Sequence, residues 1–434
     1  MKRALVAVLA AALSFSLLAG CGKKDEPKKE ADNTPKSEKF ISDKEFTLKV
    51  VTSGQKDDGI DIATKIYKEM YPNATVEPIE STWGDGGKDM REKELLLINS
   101  GETPDVMKMV WGKEFAREGL LADITEEVKE LPIYDNLTEG QLDRMTYDDK
   151  IYGMTFGNNS IYMFYNKDIL EQAGWTEPPK TLDEVSKLGK DILDKGVKTA
   201  DGKDVFLTEF DGGNWDTDYW VWANGGELMN EDFTECLIDS PESIKAYQYM
   251  QDLVKQGSVP KMDGTGSQLW LNNQIALYFS GEWDVPTTDE AGINYGVTTT
   301  PVGPTGKNTV SVGGVEWGVA EDSELKQEAV DFISILVSDE FAKQFGRGTT
   351  DLSQYDDPEN QQLWKDEGLF DAKMVQKEQL ANTKYNFLEA PFVYPEGRTD
   401  YANALQRILV NLEDVEDVMT ETAEKIEKGI ADEQ

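Results

Sequence analysis

Strand and helix patterns alternate along the first part of the chain, and this alternation most limits the fold that the chain can adopt. Residues 46–51 form an apolar run typical of a strand, and apolar side chains then recur at helical spacing from Ile62 to Met70. A second strand pattern at 76–79, a helix pattern at 90–98 and a third strand pattern at 105–110 continue the series. Alternating units of this kind predict βαβ motifs around a mostly parallel sheet, and hence an α/β fold.

Capping residues indicate where several of the predicted helices begin and end. Asp57 or Asp58 is placed to cap the first helix, and Gly101 is placed to close the second. Thr181 and Glu184 have the spacing of a capping box, in which each side chain accepts a hydrogen bond from the backbone amide of the other residue.

The N-terminus has the order of a secretory signal. Lys2 and Arg3 precede an apolar run at 4–19, and the small residues Ala19 and Gly20 precede Cys21. The run is shorter than the roughly 20 residues that a membrane span needs. It resembles a bacterial lipoprotein signal, so we expect residues 1–20 to be removed and Cys21 to be acylated, for example by palmitate.

The stretch that follows Cys21 has the composition of a tether. Residues 22–43 are nearly all charged or small and polar, and they include two prolines. Such a segment buries too little apolar surface to offset its ordering entropy. We therefore predict a lipidated cysteine and a flexible stalk over residues 21–43, holding a folded body at the extracellular face of the membrane.

Composition excludes several classes of function. The formal net charge of −39 disfavours binding to nucleic acid phosphates. Histidine is absent, which removes the commonest general acid or base and the commonest transition-metal ligand. Lipidation of Cys21 would leave Cys236 alone, so neither an internal disulfide nor a Cys-His nucleophilic pair is possible. We predict no catalytic residue, cofactor or metal.

Several motifs in order resemble the family 1 extracellular solute-binding proteins of ABC importers, the group of the maltodextrin-binding protein. The first motif is the segment 99–111, NSGETPDVMKMVW. The later motifs are Ile151-Tyr152-Gly153, Tyr165-Asn166-Lys167-Asp168, Pro179 to Glu184, Gly281-Glu282-Trp283, Gly292 to Pro301, Gly313 to Trp317 and Glu328 to Phe332. Their order and spacing match from about residue 46 to residue 345.

The resemblance implies a type II periplasmic-binding-protein-like fold, with a ligand cleft between two lobes joined by crossover strands. Lobe 1 would comprise residues 44–125 and 288–337, and lobe 2 would comprise residues 126–287 and 338–434. It further implies a monomer that binds a carbohydrate, by family precedent an oligosaccharide, and delivers it to ABC transporter permease subunits. Gram-positive members of the family are tethered by a lipid, in agreement with the predicted anchor.

Tryptophans in loops suggest how such a ligand would be held. The chain has ten tryptophans, and six of them lie beside Gly, Asn or Asp and off periodic apolar faces. Flat indole faces stack on the C–H faces of pyranose rings, and neighbouring amides and carboxylates bind the hydroxyls. The six candidates are Trp83, Trp111, Trp215, Trp220, Trp270 and Trp283.

The resemblance adds polar candidates and ranks the aromatic ones. Trp283, in Gly-Glu-Trp, matches a stacking residue of the family. The further ligand contacts that we predict are Asp85, Asn158, Asn159, Asn214, Gly314, Glu316, Trp317 and Arg347. Trp175, Trp222 and Trp364 are predicted to be structural.

Two other functions stay open on the residues alone. Polyamine-binding proteins also combine tryptophan with carboxylates, but their cationic ligand calls for several buried acids. A secreted glycoside hydrolase needs two carboxylates flanking the scissile bond, and 83 acidic residues supply candidates without singling out a pair.

Overall fold

The computed structural model describes residues 39–56, 58–82, 88–109, 111–137, 139–210, 214–230, 233–261, 266–345, 352–385 and 396–433. Within these ranges, the side chains of residues 136, 139, 140, 158, 214–216, 266, 267, 385 and 433 lie outside the description.

The described strands and helices alternate along most of the chain. The strands are β1 Thr47–Thr52, β2 Thr75–Glu80, β3 Val106–Met109, β4 Thr146–Tyr147, β5 Lys150–Ile151, β6 Gly153–Ser160, β7 Tyr162–Asn166, β8 Leu277–Ser280, β9 Tyr295–Thr298, β10 Val310–Val319 and β11 Thr383–Tyr385. The helices are α1 Ile60–Met70, α2 Lys88–Ser100, α3 Gly112–Arg117, α4 Thr125–Lys129, α5 Glu139–Met145, α6 Lys167–Gln172, α7 Leu182–Lys195, α8 Asn214–Ala223, α9 Pro241–Lys255, α10 Gly266–Leu271, α11 Val285–Glu290, α12 Lys326–Leu336, α13 Asp339–Phe345, α14 Pro358–Asp366, α15 Phe370–Gln379, α16 Glu396–Leu409 and α17 Val415–Glu433. Short 3-10 turns lie at Tyr134–Asn136, Glu282–Asp284, Leu352–Asp356 and Leu380–Asn382.

The larger sheet has the strand order β11-β10-β3-β1-β2, and β6 also pairs with β10. β1 runs parallel to β2 and β3, as the alternating pattern at the start of the chain predicts. β10 is antiparallel to β3 and β6 and parallel to β11, so the sheet is mixed. The prediction of a mostly parallel sheet therefore holds for the pairings of β1 with β2 and β3 and of β10 with β11, whereas β10 runs antiparallel to β3 and β6.

Strand β10 connects parts of the chain that are far apart in sequence. One of its edges pairs with β6, and its other edge pairs with β11 near Val310 and with β3 near Val319. The register along β6 shifts between Gly313 and Val315. A Cβ on Gly314 would lie 2.4 Å from Thr155 Cγ2, so only glycine permits this close approach of the strands.

A three-stranded sheet, called the smaller sheet below, is antiparallel with the order β8-β7-β9, and β4 and β5 form a separate antiparallel pair. The side chains of the smaller sheet alternate between two cores, as the pleat requires. Met163 faces a large core formed with α7, α8, α9, α16 and α17. Tyr162 and Phe164 face a second core that includes Trp270 and Val285. The larger sheet packs against α1 and α12 in a core of its own.

The structure confirms some predicted caps and corrects others. Thr181 accepts a hydrogen bond from the Glu184 amide at 3.2 Å, but the Glu184 carboxylate accepts from the Lys180 amide at 2.7 Å instead of closing the reciprocal bond. Gly59 precedes α1 in a left-handed conformation and makes no side-chain cap. Asp58 does not cap this helix, because its carboxylate binds Thr52, Ser53 and Lys108 instead. Asp57 lies outside the described residues.

Candidate functional site

Trp283 is the most exposed aromatic side chain among the candidates that the structure describes. It lies in the 3-10 turn that follows β8, and 47% of its surface is accessible. The other large apolar side chains that are exposed in the described part of the chain are the aliphatic Ile41, Leu96 and Leu193. An exposed indole on a short turn is therefore an exceptional feature of this surface.

The residue that follows Trp283 is held firmly. The Asp284 carboxylate accepts hydrogen bonds from the Tyr278 hydroxyl at 2.6 Å and from the Ser280 hydroxyl at 2.5 Å. Burial, followed by the nearby charge of Asp284, raises the pKa of Tyr278, so this hydroxyl stays a donor. These bonds tie the turn to the end of β8.

Trp270 supports this arrangement from the buried side. Its ring stacks on Tyr278 with 5.3 Å between the centroids and 17° between the planes. Its indole N–H donates to the Thr288 hydroxyl in α11 at 3.0 Å. Only 1% of the Trp270 surface is accessible, so in this structure its side chain packs against protein groups and presents no open face to a ligand.

Gly281 determines how the Trp283 ring lies. A Cβ on Gly281 would come within 2.1 Å of the indole, which shows that the ring folds back over this residue. The backbone φ of Gly281 is −115°, a conformation open to any residue. Glycine is needed here for space, not for conformational freedom.

Asn159 and Gly314 lie close together on the paired strands β6 and β10. Asn159 is the register partner of Gly313, and its side chain is partly exposed. Gly157 has a φ of +82°, and a Cβ there would lie 3.3 Å from the Asn159 amide oxygen. The strands therefore place one hydrogen-bonding side chain beside a glycine-lined stretch of backbone.

Glu316 is engaged by protein groups. Its carboxylate lies 2.8 Å from the Arg144 guanidinium, and neither side chain is accessible. It also accepts a hydrogen bond from the Gly112 amide at 3.1 Å, while Arg144 donates to the Val312 carbonyl at 2.9 Å. The pair joins α5, β10 and the start of α3.

The structure buries three further candidate tryptophans. Trp111 is inaccessible, and the centroid of its ring lies 6.1 Å from that of Phe115. Trp220 lies in the core of the smaller sheet, and Trp317 is 1% accessible in the core of the larger sheet. None of the three offers an open indole face to a ligand in this structure.

Several predicted site residues fall outside the description. Trp83, Asp85 and Arg347 belong to this group, as does the lipidation candidate Cys21. Asn158, Asn214 and Trp215 have a described backbone, but their side chains are outside the description. All seven stay predictions.

Two residues near the candidate contacts escaped prediction from the sequence. Arg144 pairs with Glu316, and Lys373 pairs with Glu282, the residue before Trp283. Each partner is remote in sequence, and no local motif marks either cation. Because acidic residues are so numerous, the sequence also does not indicate which carboxylates are buried and paired.

A separate pocket has the wrong chemistry for a polar ligand. It lies between α4, α5, β5 and β6 and encloses about 320 Å³ of empty space, part of which is open solvent. Its lining is mainly aliphatic, with Gln141 and Thr155 as the polar members. A sugar needs several converging hydrogen-bonding groups, so the Trp283 surface is the better candidate.

Within the described ranges, no group of three or more metal-ligating side chains is arranged to hold an ion. None of the described helices has both the length and the apolar content of a membrane span.

Residues 54–343 match the model of the bacterial extracellular solute-binding protein family. A galactooligosaccharide-binding protein of Bacillus subtilis is 28% identical over 352 residues, covering 77% of the chain and 76% of that protein. A maltooligosaccharide ABC transporter solute-binding lipoprotein of Streptococcus pneumoniae is 25% identical over 350 residues, with the same coverage of 77% and 76%. The solved structure of UgpB from Mycobacterium tuberculosis in complex with glycerophosphocholine has a TM-score of 0.76 at 18% identity, and the match covers 90% of this chain and 100% of that one.

The structural similarity shows the two-lobed, periplasmic-binding-protein-like fold, which agrees with the separate cores of the larger sheet and the three-stranded sheet. The sequence relatives are named as binding proteins. Because the family model extends from just after β1 into α13, the chain belongs to the bacterial extracellular solute-binding protein family.

Proposed function

We propose that this protein captures a neutral oligosaccharide outside the cell and delivers it to the permease of an ABC importer. The observation that carries the proposal is the half-exposed Trp283 indole on a turn that is fixed on both sides. Two sequence relatives with names that specify galacto- and maltooligosaccharides support the choice of ligand class.

The chemistry of the Trp283 turn suits a sugar ring. A pyranose presents an apolar C–H face that an indole can cover and a rim of hydroxyls that amides and carboxylates can bind. Within the described residues, Asn159 is a partly exposed amide that we assign to such a rim. Asn158, Asn214, Trp215, Trp83, Asp85 and Arg347 stay in the proposed ligand set.

The buried candidates take a different place in this proposal. Trp220, Trp270, Trp317 and Glu316 are at most 1% accessible, and Glu316 is committed to Arg144 and Gly112. We assign these four side chains to the support of the site. Trp111 would reach a ligand only after its side chain moved out of its core.

The anchoring and domain arrangement are part of the proposal. We infer that Cys21 is lipidated after removal of residues 1–20, and that the stalk holds a monomeric body at the cell surface, as in a Gram-positive lipoprotein. Lobe 1 would then comprise residues 44–125 and 288–337, and lobe 2 residues 126–287 and 338–434. The pneumococcal relative, which is named as a lipoprotein, supports the anchor.

A ligand screen with product analysis tests the proposed function. The purified protein is titrated by calorimetry with maltotetraose, a galactotriose and spermidine, and the sugars are recovered and analysed after incubation. We expect one of the neutral sugars to bind and to be recovered intact. Binding of spermidine alone would favour the polyamine alternative, and sugar cleavage that copurifies with the protein would favour a glycoside hydrolase.

A further inference from the structure

A buried lysine lies directly beneath the Trp283 turn. The Lys373 side chain, in α15, is inaccessible and forms an ion pair with Glu282, of which 12% is accessible. The Lys373 ammonium also lies 5.3 Å from the centroid of the Trp364 ring. Burying an ammonium is costly, and a buried ion pair adds little net stability over an apolar pair of similar size. The stability of the fold alone therefore does not explain why this ion pair is buried.

The position of Glu282 suggests what that role is. Glu282 immediately precedes Trp283, and Asp284 immediately follows it. Lys373 holds the first carboxylate, while Tyr278 and Ser280 hold the second. The side chains on both sides of Trp283 are thus held by buried or partly buried groups, although the indole itself is half exposed.

The lysine also connects the turn to a remote part of the chain. Trp364, beneath the ammonium, belongs to a small core with Tyr355, Leu380 and Val312 of β10. The ion pair therefore holds the turn against a core that includes the central strand of the larger sheet.

We propose that Lys373 is a positioning residue, which holds Glu282 so that the Trp283 indole is already oriented for stacking before the ligand arrives. The inference rests on the proposed function for its ligand, and it concerns a residue that would not touch that ligand. Orienting a side chain in advance removes the entropy cost of ordering it on binding.

The first measurement needs no ligand. The full chain is labelled with 5-fluorotryptophan, and the ¹⁹F resonance of Trp283 is assigned by its loss in Trp283→Phe. We expect one sharp Trp283 resonance in the wild type, a shifted or broadened one in Lys373→Met, and recovery in Lys373→Arg. The neutral pair Glu282→Gln/Lys373→Met serves where the single variant folds poorly, because it leaves no unpaired buried charge. An unchanged Trp283 resonance in these ion-pair variants would overturn the proposal.

The second measurement is a double-mutant cycle of binding affinity. Maltotetraose and a galactotriose are the probes, and the tighter of the two is titrated into each variant. Lys373→Met should weaken binding about three- to tenfold in the wild type, and it should have no further effect in Trp283→Ala. An equal loss in both backgrounds would show that Lys373 acts through the fold as a whole. If neither probe binds the wild type, the proposed ligand class fails, while the fluorine spectrum still decides the positioning role.

Discussion

Replacing Trp283 by alanine tests the proposed site most directly. The substitution removes the half-exposed indole and leaves the anchored residues on either side of it in place. Because about half of the indole surface is already accessible and the ring packs in none of the described hydrophobic cores, its loss should lower the free energy of unfolding by less than the about 3–5 kcal/mol that loss of a fully buried tryptophan costs. Its main effect should fall on ligand affinity.

The exposed fraction of the indole gives the size of that effect. With 47% of Trp283 accessible, a side chain of about 250 Å² offers about 120 Å² to a ligand. A sugar covering one face would remove about half of this area from water, which is worth about 1.5 kcal/mol at about 25 cal/mol per Å². Binding should therefore weaken by about tenfold or more, since about 1.4 kcal/mol corresponds to a factor of ten.

Calorimetric titration with the sugar found in the screen, beside thermal unfolding, checks this expectation. Trp175→Ala is the matched control, because Trp175 is partly buried and donates to the Asp191 carboxylate at 2.9 Å on the surface of α7. Trp364 is a poor control, because its ring lies beneath the ammonium that pairs with Glu282. If Trp283→Ala binds as the wild type does, the reasoning fails, and the stacking residue must be sought among Trp83, Trp111 and Trp215.

Three further predictions concern the support of the site, the buried ion pair and the anchor. Gly281→Ala should keep the fold, because its φ of −115° suits alanine, and it should weaken binding by at most the loss measured for Trp283→Ala, because the new Cβ displaces the indole. Calorimetric titration against the wild type checks this, and unchanged affinity would show that the ring can move without cost. Arg144→Met should lower the free energy of unfolding by about 3–5 kcal/mol in denaturant titrations, because it leaves Glu316 buried without a cation. Arg144→Met/Glu316→Gln should recover much of that loss, and a single variant as stable as the wild type would contradict the pairing. Cys21→Ala should release the protein from the membrane fraction of the producing cell, and normal retention would refute lipid anchoring.

Local sequence signals predicted local structure well. The β1, β2 and β3 strands and the α1 and α2 helices lie where periodicity placed them, because each depends on residues a few positions apart. The Thr181 cap formed for the same reason. Asp58 shows where this reasoning ends. Its carboxylate pairs with Lys108 in β3, and no short-range pattern could indicate this partner. Asp58 therefore does not cap α1.

The candidate site could be predicted only in part. The residues that flank a tryptophan in sequence indicate that it lies in a loop, but they do not indicate how much of its side chain is exposed. Trp220, Trp270 and Trp283 all lie near glycine, asparagine or aspartate, so their neighbouring residues do not distinguish them, and only the family resemblance singled out Trp283. In the structure, two of them are buried and one is half exposed. What distinguishes them is which core each ring meets, and that depends on strand pairing between distant segments.

The buried Trp270 and the half-exposed Trp283 are nevertheless linked through one chain of contacts. Trp270 stacks on Tyr278, the Tyr278 hydroxyl holds Asp284, and Asp284 adjoins the indole that we propose as the ligand surface. Removing Trp270 would therefore loosen the turn as well as open a cavity, so both alanine variants should bind the sugar more weakly. Affinity alone would classify both residues as ligand contacts. Stability separates them, because loss of a fully buried Trp270 should cost about 3–5 kcal/mol, whereas loss of the half-exposed Trp283 should cost clearly less. A ligand contact on this turn is thus one whose loss lowers affinity with the smaller loss in the free energy of unfolding.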